Sequence, residues 1–336
     1  RQILHPPLEA LFTIDEETGM TGAKGLKGGI LKGQILLNLD TEEDDEIDIG
    51  CAGGIDVTAT RSYMEENVPA GYIAYGISVK GLHGGHSGMD IHRGFGNANK
   101  IMNRLLFQST EEYALRVAQI DGGSLRNAIP RESFATVVLE ADRKKDFELK
   151  ISDWIQEIKN ENSFVETKLE INLNEVEIPD KIMEKSAQEK ILKAIYAAHN
   201  GVYAMSAAIP ELVETSNNIA KVEVKSGKIK IGCLTRSSVD TAKMDLANSL
   251  QGAFELADCT VTLSGEYPGW TPNPNSEILE VLKDQYELLF NEKPQVVACH
   301  AGLECGLLGN NYPVMDMILF GPTSRGAHSA AERVFL

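Results

Sequence analysis

The sequence predicts an α/β domain interrupted by an inserted α+β domain, and three observations carry that reading. Leu8–Asp15 (LEALFTID) and Gln34–Asp40 (QILLNLD) are short apolar runs that close on acid and flank a Gly-rich stretch. That is the pattern of buried strands in a mostly parallel sheet. After Cys51-Ala52-Gly53-Gly54, a Gly-rich hinge, the periodicity switches to alternating amphipathic strands and helices. After Gly265–Ser276 (GEYPGWTPNPNS), rich in Pro, Gly and Asn, it switches back. The expected partition is 1–53 with 267–336 for the α/β domain and 54–266 for the insert. A chain of 336 residues accommodates two domains at roughly 100–200 residues each.

The elements follow in order. The acidic run Glu42–Asp48 reads as a solvated loop. Ile73, Tyr75, Ile77 and Val79 alternate as in a half-buried strand. A helix is predicted over 94–108, a strand over 134–141, then a helix with Phe147, Ile151, Trp154, Ile155 and Ile158 at helical spacing. A second round starts near Ile182 with a helix carrying Ile191, Leu192 and Ile195. Ser226-Gly227 between two alternating runs signals a hairpin, followed by a helix over 241–256 and a strand over 260–263. The two rounds resemble each other in order, as in a duplicated α+β unit built on antiparallel sheets. Helix 277–290 and strands 295–299 and 314–320 complete the α/β domain.

Composition excludes several classes of partner. Lys and Arg number 32 against 49 Asp and Glu, a formal charge of −17, so no basic face is expected for nucleic acid or an anionic membrane. No apolar stretch approaches the ~18–20 residues of a membrane span. The five cysteines are scattered without a CxxC, the usage of free thiols in a reducing cytoplasm.

The candidate chemistry clusters at predicted strand ends, where ligands bind in open α/β sheets. Asp15-Glu16-Glu17-Thr18-Gly19 follows one such run, and Asp40 ends another. His328 lies in the loop after strand 314–320. Carboxylates and an imidazole from three strand ends suit Zn, Mn or Co. Acids at strand ends are also ordinary turn formers, and a lone loop histidine is usually a surface residue. In the insert, His83-Gly84-Gly85-His86-Ser87-Gly88 places a histidine on a loop whose glycines allow close approach of a ligand. Asn127 and Arg236 add an amide and a fixed positive charge, and Arg suits a bidentate grip on a carboxylate. Surface salt bridges are the commoner fate of such arginines. Cys299-His300 is not read as a nucleophile pair, because neighbours on an extended strand face opposite ways.

Taken together, DEETGMTGA, CAGGID, GGHSG, GNANK, LRNAIPRE, YPGW and HAGLECG closely resemble the aminoacyl-histidine dipeptidases of the zinc dipeptidase/aminoacylase superfamily. The EE pair is shared with many relatives, whereas HAGLECG with LRNAIPRE is specific to this branch. The resemblance implies a zinc-exopeptidase-like catalytic domain with an inserted lid domain. It implies Glu16 as general base, Glu17 and His328 as ligands of one zinc, and Asp40 as a ligand of a second, with Co or Mn as possible substitutes. It also implies His86 as a lid residue stabilising the oxyanion, Asn127, Arg236 and Gly302 as groups positioning a dipeptide, and a homodimer formed through the lid. The family's His-x-Asp motif and bridging Asp lie upstream of the EE pair and have no counterpart here, so the chain is expected to be an internal fragment, inactive alone. A non-catalytic binding module and an N-acyl-amino-acid deacylase are the competing expectations.

Overall fold

The computed structural model describes residues 4–326, 331 and 333–335, and for Glu17 and Thr18 the backbone alone. Two short helices, α1 (Glu16–Gly19) and α2 (Thr21–Gly25), precede strands β1 (Ile35–Asn38) and β2 (Glu46–Cys51). The chain then enters the insert. Its strands are β3 (Gly53–Ser62), β4 (Glu65–Asn67) and β5 (Tyr72–Lys80), then helix α3 (Ala98–Tyr113), β6 (Arg116–Gly122), β7 (Ser133–Glu140), α4 (Lys144–Glu161) and β8 (Glu170–Val176). There follow β9 (Lys181–Met183), α5 (Lys185–Ala197), β10 (Gly201–Met205), β11 (Val213–Lys225), β12 (Lys228–Ser237), α6 (Asp240–Glu255) and β13 (Thr260–Tyr267). Helix α7 (Glu277–Phe290), β14 (Gln295–Cys299), α8 (Glu304–Asn311) and β15 (Asp316–Leu319) return to the first domain.

The insert is built on a nine-stranded sheet in the order β13-β3-β12-β11-β6-β7-β5-β8, with β10 beside β11, while β4 and β9 pair apart from it as a two-stranded ribbon. Every pairing in it is antiparallel. The two rounds expected from the sequence therefore share a single sheet, joined where Val222 of β11 faces Gly122 of β6. The β11–β12 hairpin turns at Ser226 (φ 50°) and Gly227 (φ 72°), the doubly left-handed turn that matches strand twist. One continuous apolar core holds the sheet and α3 to α6 together, with Tyr75, Leu105, Phe147, Ile191, Ile231 and Phe254 among its members. Burial of this size is the main favourable term in folding.

The outer domain has the mostly parallel sheet expected, in the order β1-β15-β2-β14, with β1 parallel to β15, β14 parallel to β2, and one antiparallel contact where Leu319 faces Asp48. It departs from expectation in two ways. Leu8–Asp15 forms no strand. No neighbouring strand among the described residues supplies it with ladder hydrogen bonds, and Leu8, Phe12 and Ile14 stay exposed. The acidic run is not all solvated loop, because β2 begins at Glu46 and buries Asp48.

Two crossings join the domains, and they lie side by side. Cys51 and Trp270 exchange both backbone hydrogen bonds at 2.9 Å. A Cβ on Gly53 would clash with the backbone of Gly269, so this junction needs glycine for close approach.

Burial, reinforced by Glu46, pushes the Asp48 carboxyl up to about 7 from 3.8. Between those values the native state holds a proton that the unfolded chain releases, so stability falls as pH rises through that window. Asp48→Asn removes the effect. Its Tm at pH 8 is expected to exceed the parent's by on the order of 5 °C, with little difference near pH 4, as thermal melts will show.

Candidate active site

The site is assembled at the sheet end where β5, β6, β12 and β13 finish. The loop after β5 is shaped by Gly84 and Gly85, both at positive φ, and is tied down by acids. Asp90 Oδ2 accepts from the His86 amide at 2.8 Å. The buried Glu166 carboxylate accepts from the His83 and Gly96 amides, each at 2.8 Å. The Ser87 amide donates to the Asn127 carbonyl at 2.8 Å, which brings the loop after β6 alongside.

His86 has a defined tautomer by its partners. Its Nδ1 accepts from the Gly88 amide at 3.2 Å and the Met89 amide at 3.1 Å, so in the neutral ring the proton sits on Nε2. Burial first, and then the Arg236 charge, hold its pKa below the ordinary histidine value. Nε2 faces Arg236 Nη2 at 3.4 Å. Both atoms are donors, so neither satisfies the other, and they converge on a position suited to an acceptor oxygen.

Arg236, at the penultimate position of β12, is 4% exposed. Its Nη1 donates to the Tyr267 hydroxyl at 2.7 Å, while Nε has no partner among the described residues. No described Asp or Glu pairs with it, and burial lowers its pKa. A buried guanidinium with one neutral acceptor is a poor structural ion pair and a good anion receptor.

The outer domain contributes the loop between β14 and α8. The His300 carbonyl abuts Gly88 so closely that a Cβ there would clash. His300 Nε2 is 2.8 Å from Ser216 Oγ, and Nδ1 has no partner among the described residues. Gly302 presses on the Tyr267 ring, which a Cβ would approach to 2.8 Å. Cys299 touches Met89, and burial pushes its thiol up to about 11, so it is no thiolate nucleophile at neutral pH.

Four of the eight sequence-derived residues, His86, Asn127, Arg236 and Gly302, thus meet at one cleft between the domains. Sequence reasoning missed Tyr267, His300 and Ser216 as their neighbours, although Tyr267 and His300 stand in the YPGW and HAGLECG runs. Glu16 is half-buried and opens α1 behind Asp15, which adopts φ 60°. Asp40 is exposed two residues past β1, with no hydrogen bond or ion pair joining it to His86 or Arg236. His328 and the Glu17 side chain lie outside the described residues. Among the described residues no three His, Cys, Asp or Glu side chains gather to hold a metal ion. The chemistry of the expected set, two carboxylates and an imidazole, is that of a first-row divalent cation.

Known proteins resemble this chain in sequence and in fold. A model of the M20 peptidase dimerisation domain matches residues 77–166, the half of the lid that carries His86 and Asn127. The chain is 41% identical over 334 residues to the cytosol non-specific dipeptidase of Escherichia coli (strain K12), covering 99% of this chain and 69% of that protein. The chain belongs to this family of dipeptidases, within the M20 peptidases. The crystal structure of aminoacylhistidine dipeptidase from Vibrio alginolyticus superposes with a TM-score of 0.93 at 43% identity, over 96% of this chain and 66% of that one. The chain therefore spans about two thirds of the length of these relatives, with the α/β architecture and lid expected of a zinc-exopeptidase-like fold. Membership of this metallopeptidase family implies a divalent metal ion. No described helix is long and apolar enough to cross a membrane.

Burial first, then Arg236, hold the His300 ring down at about 3 from 6.5. The unfolded chain takes up a proton below 6.5 that the native state refuses down to about 3, so stability falls as pH drops through that window. In pH-dependent melts, His300→Gln is expected to lower Tm at pH 8 but to flatten the decline between pH 6.5 and 4.

Proposed function

We propose that this chain supplies the substrate-binding lid and part of the catalytic domain (1–53 and 267–336, with 54–266 as lid) of a metal-dependent dipeptidase. Its substrates in this reading are Xaa-His dipeptides such as β-alanyl-histidine. The observation that supports it most directly is Arg236, a buried cation without a carboxylate partner, set beside a second donor at the domain cleft.

In this reading Arg236 takes the free carboxylate of the dipeptide, with Asn127 and the Gly302 backbone orienting its remainder. His86 donates Nε2–H to the carbonyl oxygen as negative charge develops there, a stabilisation that grows towards the transition state. Glu16 takes the proton from the attacking water and returns it to the leaving amine. Glu17 and His328 would hold one zinc and Asp40 a second, Co or Mn serving in their place, and bound metal would polarise the carbonyl and acidify water. The name of the E. coli relative, and free cysteines throughout the described chain, support a cytoplasmic site of action. The dimerisation-domain match supports a homodimer formed through the lid.

Arg236→Met in the full-length gene product tests the central claim. The KM for β-alanyl-histidine is expected to rise about 100-fold, the scale of losing a buried charged partner. The carboxamide of the same dipeptide, which offers no anion, is expected to lose little affinity. Equal losses for the two would refute the assignment of Arg236 to the carboxylate.

A further inference from the structure

Arg236 does not face the cleft alone. The Tyr267 hydroxyl that receives its Nη1 belongs to the last residue of β13, and the Tyr267 backbone is firmly held. Its carbonyl accepts from Lys243 Nζ at 2.8 Å, and Lys243 has no exposed surface. The same ammonium reaches Asp240 Oδ1 at 2.8 Å, and that oxygen also accepts from the Gly269 amide at 3.0 Å. A buried cation thus fixes the strand end and the following Pro-Gly turn together.

The ring itself sits between two glycines from different domains. A Cβ on Gly54 would lie 2.5 Å from the hydroxyl oxygen, and one on Gly302 would lie 2.8 Å from the ring edge. Larger residues at either position would push the phenol off Arg236. The packing leaves the hydroxyl one place to be.

A phenol that accepts from a guanidinium still carries its own hydrogen to donate. No described acceptor receives it. Burial raises the Tyr267 pKa, with Arg236 and Arg126 pulling the other way, and the phenol stays protonated at neutral pH. Beyond the Nη1 bond to Tyr267, the cleft therefore presents the Tyr267 O–H, Arg236 Nη2 and His86 Nε2–H as neighbouring donors with no acceptor among the described residues.

We propose that Tyr267 is a specificity-determining residue for the substrate carboxylate: it fixes the Arg236 guanidinium through Nη1 and donates its O–H to one carboxylate oxygen. This inference rests on the reading of Arg236 as the carboxylate clamp. Because Gly302 belongs to the outer domain, the receptor is complete only while the β14–α8 loop lies against the ring. Binding of the carboxylate and seating of the two domains are then one event.

The test compares Tyr267→Phe with Arg236→Met in the full-length gene product, using β-alanyl-histidine and its carboxamide, the latter as substrate or competitive inhibitor. Phe keeps the ring between its glycines and removes only the hydroxyl. For Tyr267→Phe the dipeptide KM is expected to rise about 10-fold with kcat changed less than about 2-fold, as for one hydrogen bond to a charged group. Affinity for the carboxamide is expected to stay within about 2-fold. If Tyr267→Phe leaves the acid-to-amide preference intact, or weakens both ligands equally, while Arg236→Met abolishes that preference, Tyr267 is only packing and the inference is overturned. If Arg236→Met also preserves the preference, the clamp reading has failed and the Tyr267 assignment falls with it.

Discussion

A guanidinium removed from water without a carboxylate beside it is the constraint around which this molecule is arranged. Desolvating a charge costs several kcal/mol unless other interactions offset it, and here the protein offers Arg236 only a phenol and a second donor. The large sheet and its four helices tolerate that cost because their core is extensive and continuous. The cost is local, confined to the junction of the two domains, and in the reading proposed for Arg236 a bound carboxylate relieves it.

The same end of the sheet concentrates most of the molecule's buried polar machinery. Glu166 fastens the His86 loop, Lys243 fastens the end of β13, and His300 reaches Ser216 from the other domain. These groups lie one layer behind the donors and hold them at fixed distances. Preorganisation of this kind matters because a hydrogen bond that must first be ordered gives back part of its energy as entropy.

Much of this was legible in the sequence, and the failures have physical causes. Helix α7 and strand β14 fall on their predicted residues because apolar spacing and a capping serine agree: Ser276 Oγ accepts from the Leu279 amide at 3.1 Å. Helix α3 starts later than predicted because Asn97 caps it, accepting from the Asn99 and Lys100 amides. Strand β3 was hidden because Gly53 and Gly54 read as a hinge. In the fold they are strand residues that must be small to let Gly269 and Tyr267 approach. Leu8–Asp15 shows the converse, since apolar content alone makes no strand without a partner to complete its hydrogen bonds. At the site, Arg236 stood out by its charge in an acidic chain. Its contact with Tyr267, 31 positions away, arises from strand order and has no local signature.

The fusion of both halves of the lid into one sheet has a genetic consequence. His86 follows β5 in one half and Arg236 lies next to last in β12 in the other, yet they meet within a single polypeptide. Two damaged alleles, one lacking the imidazole and one lacking the guanidinium, would each leave every copy of the cleft with a missing donor. Mixing their products in one cell regenerates no intact pair as long as both donors come from the same chain. Intragenic complementation between these positions is closed off by chain connectivity itself.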